Sequence, residues 1–424
     1  MTRTHSRPVV FDMTRLLTRL RFGAPTGIDR VDLAYADRYL TGTPHAGVSV
    51  TPLGPRLLRE DSTRAVLTAL RSRWRDDTGA SSPAATRLAA WLAGPARAPQ
   101  REEATRARPN SLRGAAEIAL RAIAASRQQD AARHAPRDAA YLHSSHLRLD
   151  RPAMFRWLEQ RPDIKPVFFV QDLIPIEYPE YGVPGEAERH RTRMATVSRH
   201  AAAVLTSSEA VAAGFREYAK KAGLRAAPRI VTAPIGIEEA FTVEQPALAA
   251  ARPYFVVCST IEARKNHLLL LQIWRDLAQR LDAADMPALV IVGRRGWESE
   301  AAADLLERCE AIRPHVIEAP NLPTHTLASL MAGARALLMP SFSEGYGIPV
   351  AEGIGIGAPV IASDLPSHRE ITRGAATLLD PLDGPGWREA ILMAAATPLT
   401  PRKPGPAATW RAHFEIVDGL IADL

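Results

Sequence analysis

At 424 residues, with 46% hydrophobic and 23% charged, the chain has the length for two domains or more and the composition of a globular protein. No apolar run is long enough for a membrane-spanning helix, the start MTRTHSRPVVFDMTRLL lacks the apolar core of a signal peptide, and two cysteines, Cys258 and Cys309, exclude a disulfide framework or a cysteine metal site; a cytoplasmic setting is expected. The net charge of +7 is uneven: residues 1–150 hold 24 Lys and Arg against 14 Asp and Glu, a basic surplus that suits an anionic membrane or a phosphorylated acceptor. No nucleic-acid motif or interleaved aromatics accompany it, so nucleic acid is set aside.

In chain order, Val9–Phe11 reads as a first strand, followed by Thr14–Arg21 and a loop in which Gly23 and Gly27 flank Pro25. A helical pattern begins at Asp29. A glycine loop between a strand and a helix is a natural anion-binding arrangement. Residues 56–140 are rich in Ala and Arg and read as helices separated by prolines: Arg64–Arg75, Ala84–Leu92 and Ser111–Arg127, with an irregular stretch around 94–110. Order returns with a strand in 139–146, which ends in His143 and His146, and a helix at 152–161. Pro166–Val170 is an apolar β run, and Gln171 and Asp172 stand at its C-terminal end, where α/β sheets place their ligands. Structural roles for the histidines and a capping role for Asp172 are the alternatives. Ala203–Thr206 and Arg229–Ala233 are further strands; Ser208 is a good N-cap for the helix after the first of them. Residues 242–253 read as a linker.

The second half opens with YFVVC, a polar turn and a helix. Arg264 and Lys265 occupy that turn, and two adjacent cations there suit a pyrophosphate, a surface basic pair being the alternative. Pro287–Val292 is the next strand, with Gly293 directly after it, and Val316-Ile317 another. Ala336–Met339, a turn, a helix from Ile348 and the β run Pro359–Ala362 make one strand–loop–helix–strand unit of a parallel sheet. Glu344 in its loop and Glu352 in its helix have seven residues between them. Carboxylates so placed suit a polyol, since each accepts two hydroxyl hydrogen bonds; solvated surface glutamates are the alternative. Gly345 and Gly347 leave the backbone bare for close approach of a ligand to the helix start. The C-terminal WRAHFEIVDGLIADL reads as an amphipathic helix.

Pro340–Gly353, PSFSEGYGIPVAEG, resembles the donor-binding segment of family-4 retaining glycosyltransferases of the group-1 type, whose hallmark is Glu-x7-Glu in the setting P-S-x-x-E-G-[FY]-G-[LI]-P-x-x-E-[AG]. Thr260–Asn266 resembles the same family's phosphate-binding segment, although Cys258, Ser259 and Thr260 replace a usual glycine and cation. Pro234–Glu238 resembles P-x-G-[IV]-[DE], with Ile235 in place of Asn. Asp172–Tyr181 is similar to the H-D-L-I-P-x-x-x-P-E-Y of one branch, with Gln171 where that pattern has His.

The resemblance implies a GT-B fold: α/β, two Rossmann-like domains facing each other across a cleft. Their expected extents are 1–247, with the helical segment 56–138 inside the first, and 248–405, with 406–424 crossing back as a helix. It implies transfer of a sugar from a GDP- or UDP-sugar to a hydroxyl of a glycan or lipid-linked glycan, with retention, as in bacterial surface-polysaccharide assembly. The residues it points to as catalytic are Glu344, Asp172, His146 and Lys265. Those facing the donor are Glu352, Arg264, Lys265, Gly27, Gly293, Tyr346, Gly347 and Ile348, and those on the acceptor side are Tyr178, His190 and Arg193. Within this reading Glu352 holds ribose hydroxyls and Glu344 the donor sugar. No cofactor and no metal are expected, because cations and a helix N-terminus take the leaving phosphate. Peripheral contact with the inner membrane accompanies the lipid-linked acceptor. A non-catalytic sugar-binding protein and an epimerase of the same fold are the alternatives. The first would be expected to lack Glu344 or Lys265.

Overall fold

The computed structural model describes residues 7–22, 25–41, 44–75, 82–95, 117–119, 121–122, 124–125, 129–224, 229–400 and 402–424. The chain divides into two compact units, one of Met1–Asp76, Ala104–Ile235 and Trp410–Leu424, the other of Asp77–Glu103 and Gly236–Thr409. Each is built on a largely parallel sheet with helices, which is the Rossmann-like α/β class expected. Among the described residues no helix is long and apolar enough to cross a membrane.

The first unit's strands are β1 (Val9–Asp12), β2 (Ala46–Thr51), β3 (Gly54–Leu57), β4 (Ala140–His143), β5 (Lys165–Val170), β6 (Ala203–Thr206) and β7 (Arg229–Thr232). They lie in the order β3-β2-β1-β4-β5-β6-β7. All neighbours are parallel except β2 and β3, an antiparallel hairpin turned at Gly54 with φ +99°. β1, β4 and β6 are buried at every position and β5 at all but its first, as expected of strands covered on both faces. The hairpin was not foreseen, because its two short strands border a segment whose composition reads as helical.

Two helices of the first unit, at Gly27 and Glu209, begin where a side chain satisfies their first N–H groups. The helix Gly27–Tyr39 starts two residues before the expected Asp29, because Thr26 and Asp29 form a reciprocal capping box. Thr26 N donates to Asp29 Oδ2 at 2.8 Å. Residues 152–160, expected as a helix, form a 3-10 helix. Ser208 caps Glu209–Lys221 as expected, its Oγ accepting from Val211 N at 3.2 Å. The C-terminal helix Trp410–Ala422 packs on this unit through Tyr35, whose ring meets those of His413 and Phe414 at 5.5 and 5.2 Å. Tyr39 Oη donates to Asp418 at 2.7 Å on the same face.

The second unit has β8 (Tyr254–Cys258), β9 (Ala288–Val292), β10 (Val316–Glu318), β11 (Leu337–Met339), β12 (Val360–Ser363) and β13 (Thr377–Leu379), all parallel, in the order β10-β9-β8-β11-β12-β13. Its core sets Trp274 against Phe255 at 5.8 Å and seats two fully buried indoles by hydrogen bonds, Trp274 to Pro287 O and Trp387 to Asp380 O, each 3.0 Å.

Two features depart from the domain extents read in the sequence. The units divide at Ile235–Gly236 rather than at 247–248. The helix Pro83–Ala93, placed by chain continuity in the first domain, belongs to the second. Leu88, Trp91 and Leu92 form its buried side; Leu92 O accepts from Ala251 N at 2.9 Å, and the Arg252 guanidinium lies 5.0 Å from the Trp91 ring. Gly23 and most of the expected irregular stretch 94–110 and helix Ser111–Arg127 lie outside the described residues.

Candidate functional site

In the second sheet the strand order reverses between β8 and β11, and the crevice outside their C-terminal ends is where open α/β sheets take ligands. β8 leads through Ser259–Glu262 into a 3-10 turn, Ala263–Lys265, that ends at Asn266 with φ +54°. Asparagine tolerates that left-handed conformation, and its side chain anchors the turn by donating to Pro381 O at 3.0 Å. The sharp reversal leaves Arg264 and Lys265 at the strand end and starts the helix His267–Arg280 directly after them. Phe342 N donates to Arg264 O at 2.9 Å, which ties this turn to the loop after β11.

That loop carries Glu344, whose side chain is only 8% exposed. Lys265 Nζ donates to its Oε1, Arg264 Nη1 lies 3.2 Å from its Oε2, and Ser341 Oγ donates to Oε1 at 2.8 Å. Arg264 is further held by Ser343 O at 2.5 Å and Glu262 at 2.8 Å. Burial alone would raise the Glu344 carboxyl, but Lys265 and Arg264 outweigh it and hold the group down at about 2. Two of the predicted catalytic residues and one donor residue therefore form one ion cluster.

Gly347 follows at φ +103° and precedes the helix Ile348–Gly355, which has no side-chain cap. A Cβ on Gly347 would also stand 3.1 Å from the His368 ring, so the position favours glycine on two counts. Ile348 opens the helix, the Tyr346 side chain packs inward beside the turn, and Glu352 is buried on the following turn at 3% exposure. Gly293, at the end of β9, abuts the β8 loop so closely that a Cβ would overlap the Ser259 carbonyl oxygen. The eight residues expected on the donor side, Gly27 excepted, thus lie on loops and helix starts at the C-terminal edge of this one sheet.

In the first unit the order reverses between β1 and β4. Asp12 and His143 close those strands; Asp12 Oδ2 accepts from Tyr141 Oη at 2.6 Å and lies 3.2 Å from His143 Nδ1. Just beyond, Ser144 Oγ donates to Asp32 Oδ1 at 2.6 Å. Burial pushes the Asp32 carboxyl up to about 7, against the Ser144 hydrogen bond and Arg15, whose Nε is 3.7 Å away. Gln171 turns inward, donating through Nε2 to Ser144 O at 2.8 Å, while its backbone N donates to His146 Nε2 at 3.2 Å. The His146 and His190 rings meet edge-on at 4.9 Å, and His190 Nε2 donates to Asp172 O at 3.1 Å. Both imidazoles are pushed below their usual value, chiefly by burial, and are neutral near pH 7. Arg193 Nη1 is 3.4 Å from His190 Nδ1 and also pairs with Glu186.

His146, Asp172, His190 and Arg193 are thus one cluster. Tyr178 stands apart from these contacts, 38% exposed beside Tyr181. Gly27 is exposed at a helix start whose first turn is capped by Asp29, and Asp29 also accepts from Arg15 and Arg19 at 2.8 Å. Asp12, Asp32, Ser341 and His368 join these clusters without being among the residues expected from the sequence. An aspartate closing an apolar strand was a usable signal for Asp12. The others announce themselves only through three-dimensional neighbours.

Residues 252–396 match the family described as Glycosyl transferases group 1. The serotype-specific mannosyltransferase WbdA of Escherichia coli is 27% identical over 221 residues, 49% of this chain and 27% of that protein. The O-antigen chain mannosyltransferase B of Escherichia coli is 32% identical over 167 residues, 37% of this chain and 43% of the relative. The chain thus spans less than half the length of these curated relatives. Among solved structures, sucrose-phosphate synthase from Thermosynechococcus elongatus superposes with a TM-score of 0.56 at 16% identity, over 98% of this chain and 96% of the other. The Anabaena protein HepE in complex with UDP gives 0.55 at 15% identity, over 98% and 97%. At those identities the likeness is one of fold. The resemblance to group-1 glycosyltransferases read from the sequence is borne out, most directly over residues 252–396.

Proposed function

We propose that the chain is a retaining glycosyltransferase that moves a sugar from a GDP- or UDP-sugar to a hydroxyl of a glycan or lipid-linked glycan. The observation that carries this is the Arg264–Lys265–Glu344 cluster at the reversal point of the second sheet, with an uncapped helix start and the buried Glu352 beside it. Cations and helix N–H groups together suit a diphosphate, and buried carboxylates suit sugar and ribose hydroxyls. In this reading Lys265, Arg264 and the Gly347–Ile348 turn hold the phosphates, Glu352 the ribose, and Glu344 the donor sugar; Tyr346 and Gly293 shape the surroundings. His146, Asp172, His190 and Arg193 serve the acceptor side, with Tyr178 at its edge.

Transfer proceeds at one face of the sugar. The bond from the anomeric carbon to the phosphate oxygen breaks, the acceptor oxygen bonds to that carbon, and the acceptor proton passes to the leaving phosphate oxygen. Configuration is kept with no enzymic nucleophile. Charge that develops on the leaving diphosphate is stabilised by Lys265 and Arg264, groups that take the place of a metal ion in this account. O-antigen chain mannosyltransferases among the relatives support a bacterial surface polysaccharide as the product and a mannosyl donor as the first to try. A lipid-linked acceptor would bring the protein to the cytoplasmic face of the membrane.

The test is a panel of GDP- and UDP-sugars scored for thermal stabilisation and slow hydrolysis, with and without a chelator. One donor should raise the melting temperature and be hydrolysed to the retained sugar in the chelator's presence. No response to any donor, or activity that returns only with Mg²⁺, overturns the corresponding part of the reading.

A further inference from the structure

Arg264 and Lys265 are committed to carboxylates: Lys265 to Glu344, and Arg264 to Glu344 and Glu262. Two cations thus face two anions, so this group as a whole exerts little net pull on an approaching phosphate. The pairing is also sheltered, since the Lys265 and Glu344 side chains are 12% and 8% exposed. A diphosphate that is to engage Lys265 must compete with the Glu344 carboxylate, and a carboxylate that gives up Lys265 is left buried and short of partners, which is costly.

We infer that Glu344 couples recognition of the donor's sugar to recognition of its diphosphate. Resting on the donor-site reading above, this goes beyond it by making the two halves of the donor bind cooperatively. Sugar hydroxyls can supply the hydrogen bonds that Glu344 loses when Lys265 turns to phosphate. Ser341 Oγ, 2.8 Å from Oε1, and Ser367 Oγ, 3.1 Å from the Glu344 carbonyl, hold the residue in place while partners exchange. An intact nucleotide sugar satisfies both released groups. A free nucleoside diphosphate satisfies Lys265 and strands Glu344, so it binds less well than its phosphates alone would allow. The same difference favours release of the diphosphate product after transfer.

The experiment is a set of calorimetric titrations of wild type and Glu344→Gln with inorganic pyrophosphate, GDP, UDP and the corresponding nucleotide sugars. Glutamine keeps the shape and removes the competing charge. Pyrophosphate and the free diphosphate should bind the variant about tenfold more tightly, within the usual range of coupling between sites. The nucleotide sugar should gain nothing, so the preference for intact donor collapses. Adding Lys265→Met to Glu344→Gln should abolish the gain. Glu344→Ala, titrated in the same way, gives the answer should the glutamine variant fold poorly. Unchanged or weaker binding of pyrophosphate and diphosphate to the folded variants, or a gain that survives loss of Lys265, overturns the coupling. Wild type that binds no diphosphate and no nucleotide sugar overturns the donor-site reading itself, and the coupling with it.

Discussion

Both sheets reverse their strand order once near the middle, β1 against β4 in the first unit and β8 against β11 in the second, and both place ionisable groups there. The groups differ in kind. The first unit buries two aspartates, Asp12 and Asp32, among a tyrosine, a serine and a histidine. The second sets two cations against two carboxylates, Glu344 and Glu262, and holds the Glu344 carboxyl down at about 2. One topology therefore offers two chemistries. Buried carboxyl groups suit hydroxyls, whereas cations beside a helix start suit a phosphate once their carboxylate partners release them.

The largest effect should come from breaking the cationic side. Lys265→Ala is expected to lower turnover on the order of 100-fold while weakening binding of intact donor much less, because its interaction strengthens as the leaving phosphate gains charge. Steady-state kinetics that put the loss in KM alone would contradict this. In the first unit, Asp172→Ala and His146→Ala should each cost about tenfold in turnover, the upper end of what one hydrogen bond contributes. Gln171→Ala at equal stability should cost far less, and Gln171→His should stay within a few-fold. Gln171 spends its side chain on Ser144 O, so it braces the loop and takes no proton. A Gln171→His variant faster by orders of magnitude would sink that assignment.

Glu352→Ala should weaken the free nucleoside diphosphate about tenfold by calorimetry, through lost hydrogen bonds to ribose. The smallest effect on activity sharpens the acidic side. Asp32 has its carboxyl raised from 3.8 to about 7, so the native state binds a proton more tightly than the unfolded chain. Its contribution to stability is full below pH 4 and is lost as pH rises towards 7. Asp32→Asn, which keeps an acceptor for Ser144, should therefore gain on wild type between pH 5 and pH 8, by on the order of 2 kcal/mol. Denaturant unfolding at both pH values checks this, and an equal difference at the two would contradict it.

Much of the second unit was legible because its strands are unbroken apolar runs and its site lies on one contiguous motif. β8, β9, β11 and β12 fall within a residue or two of their expected bounds, and the helix starts at Ile348 as read. Asn266 and Gly347 were visible as residues that permit a left-handed backbone, although the first was not singled out. The first unit was less legible for a physical reason. Its site is assembled from β1, β4, β5 and the helix Glu186–His200, so its partners are far apart in sequence, as with Asp12 and Tyr141 or Asp32 and Ser144. Residue types at strand ends hinted at His146 and Asp172, but burial decides which groups stay neutral, and burial is not written in a single strand. The helix Pro83–Ala93 was misplaced because its amphipathic pattern says that it needs a cover without saying which sheet supplies it.

The most direct measurement is a crystal structure with whichever of GDP or UDP stabilises the protein more. The account predicts the diphosphate within hydrogen-bond distance of Lys265 and of the backbone N–H groups at Gly347–Ile348, with ribose hydroxyls on Glu352. A nucleotide bound at the β1–β4 end of the first sheet, or one that leaves Lys265 and Glu352 without contact, would contradict it.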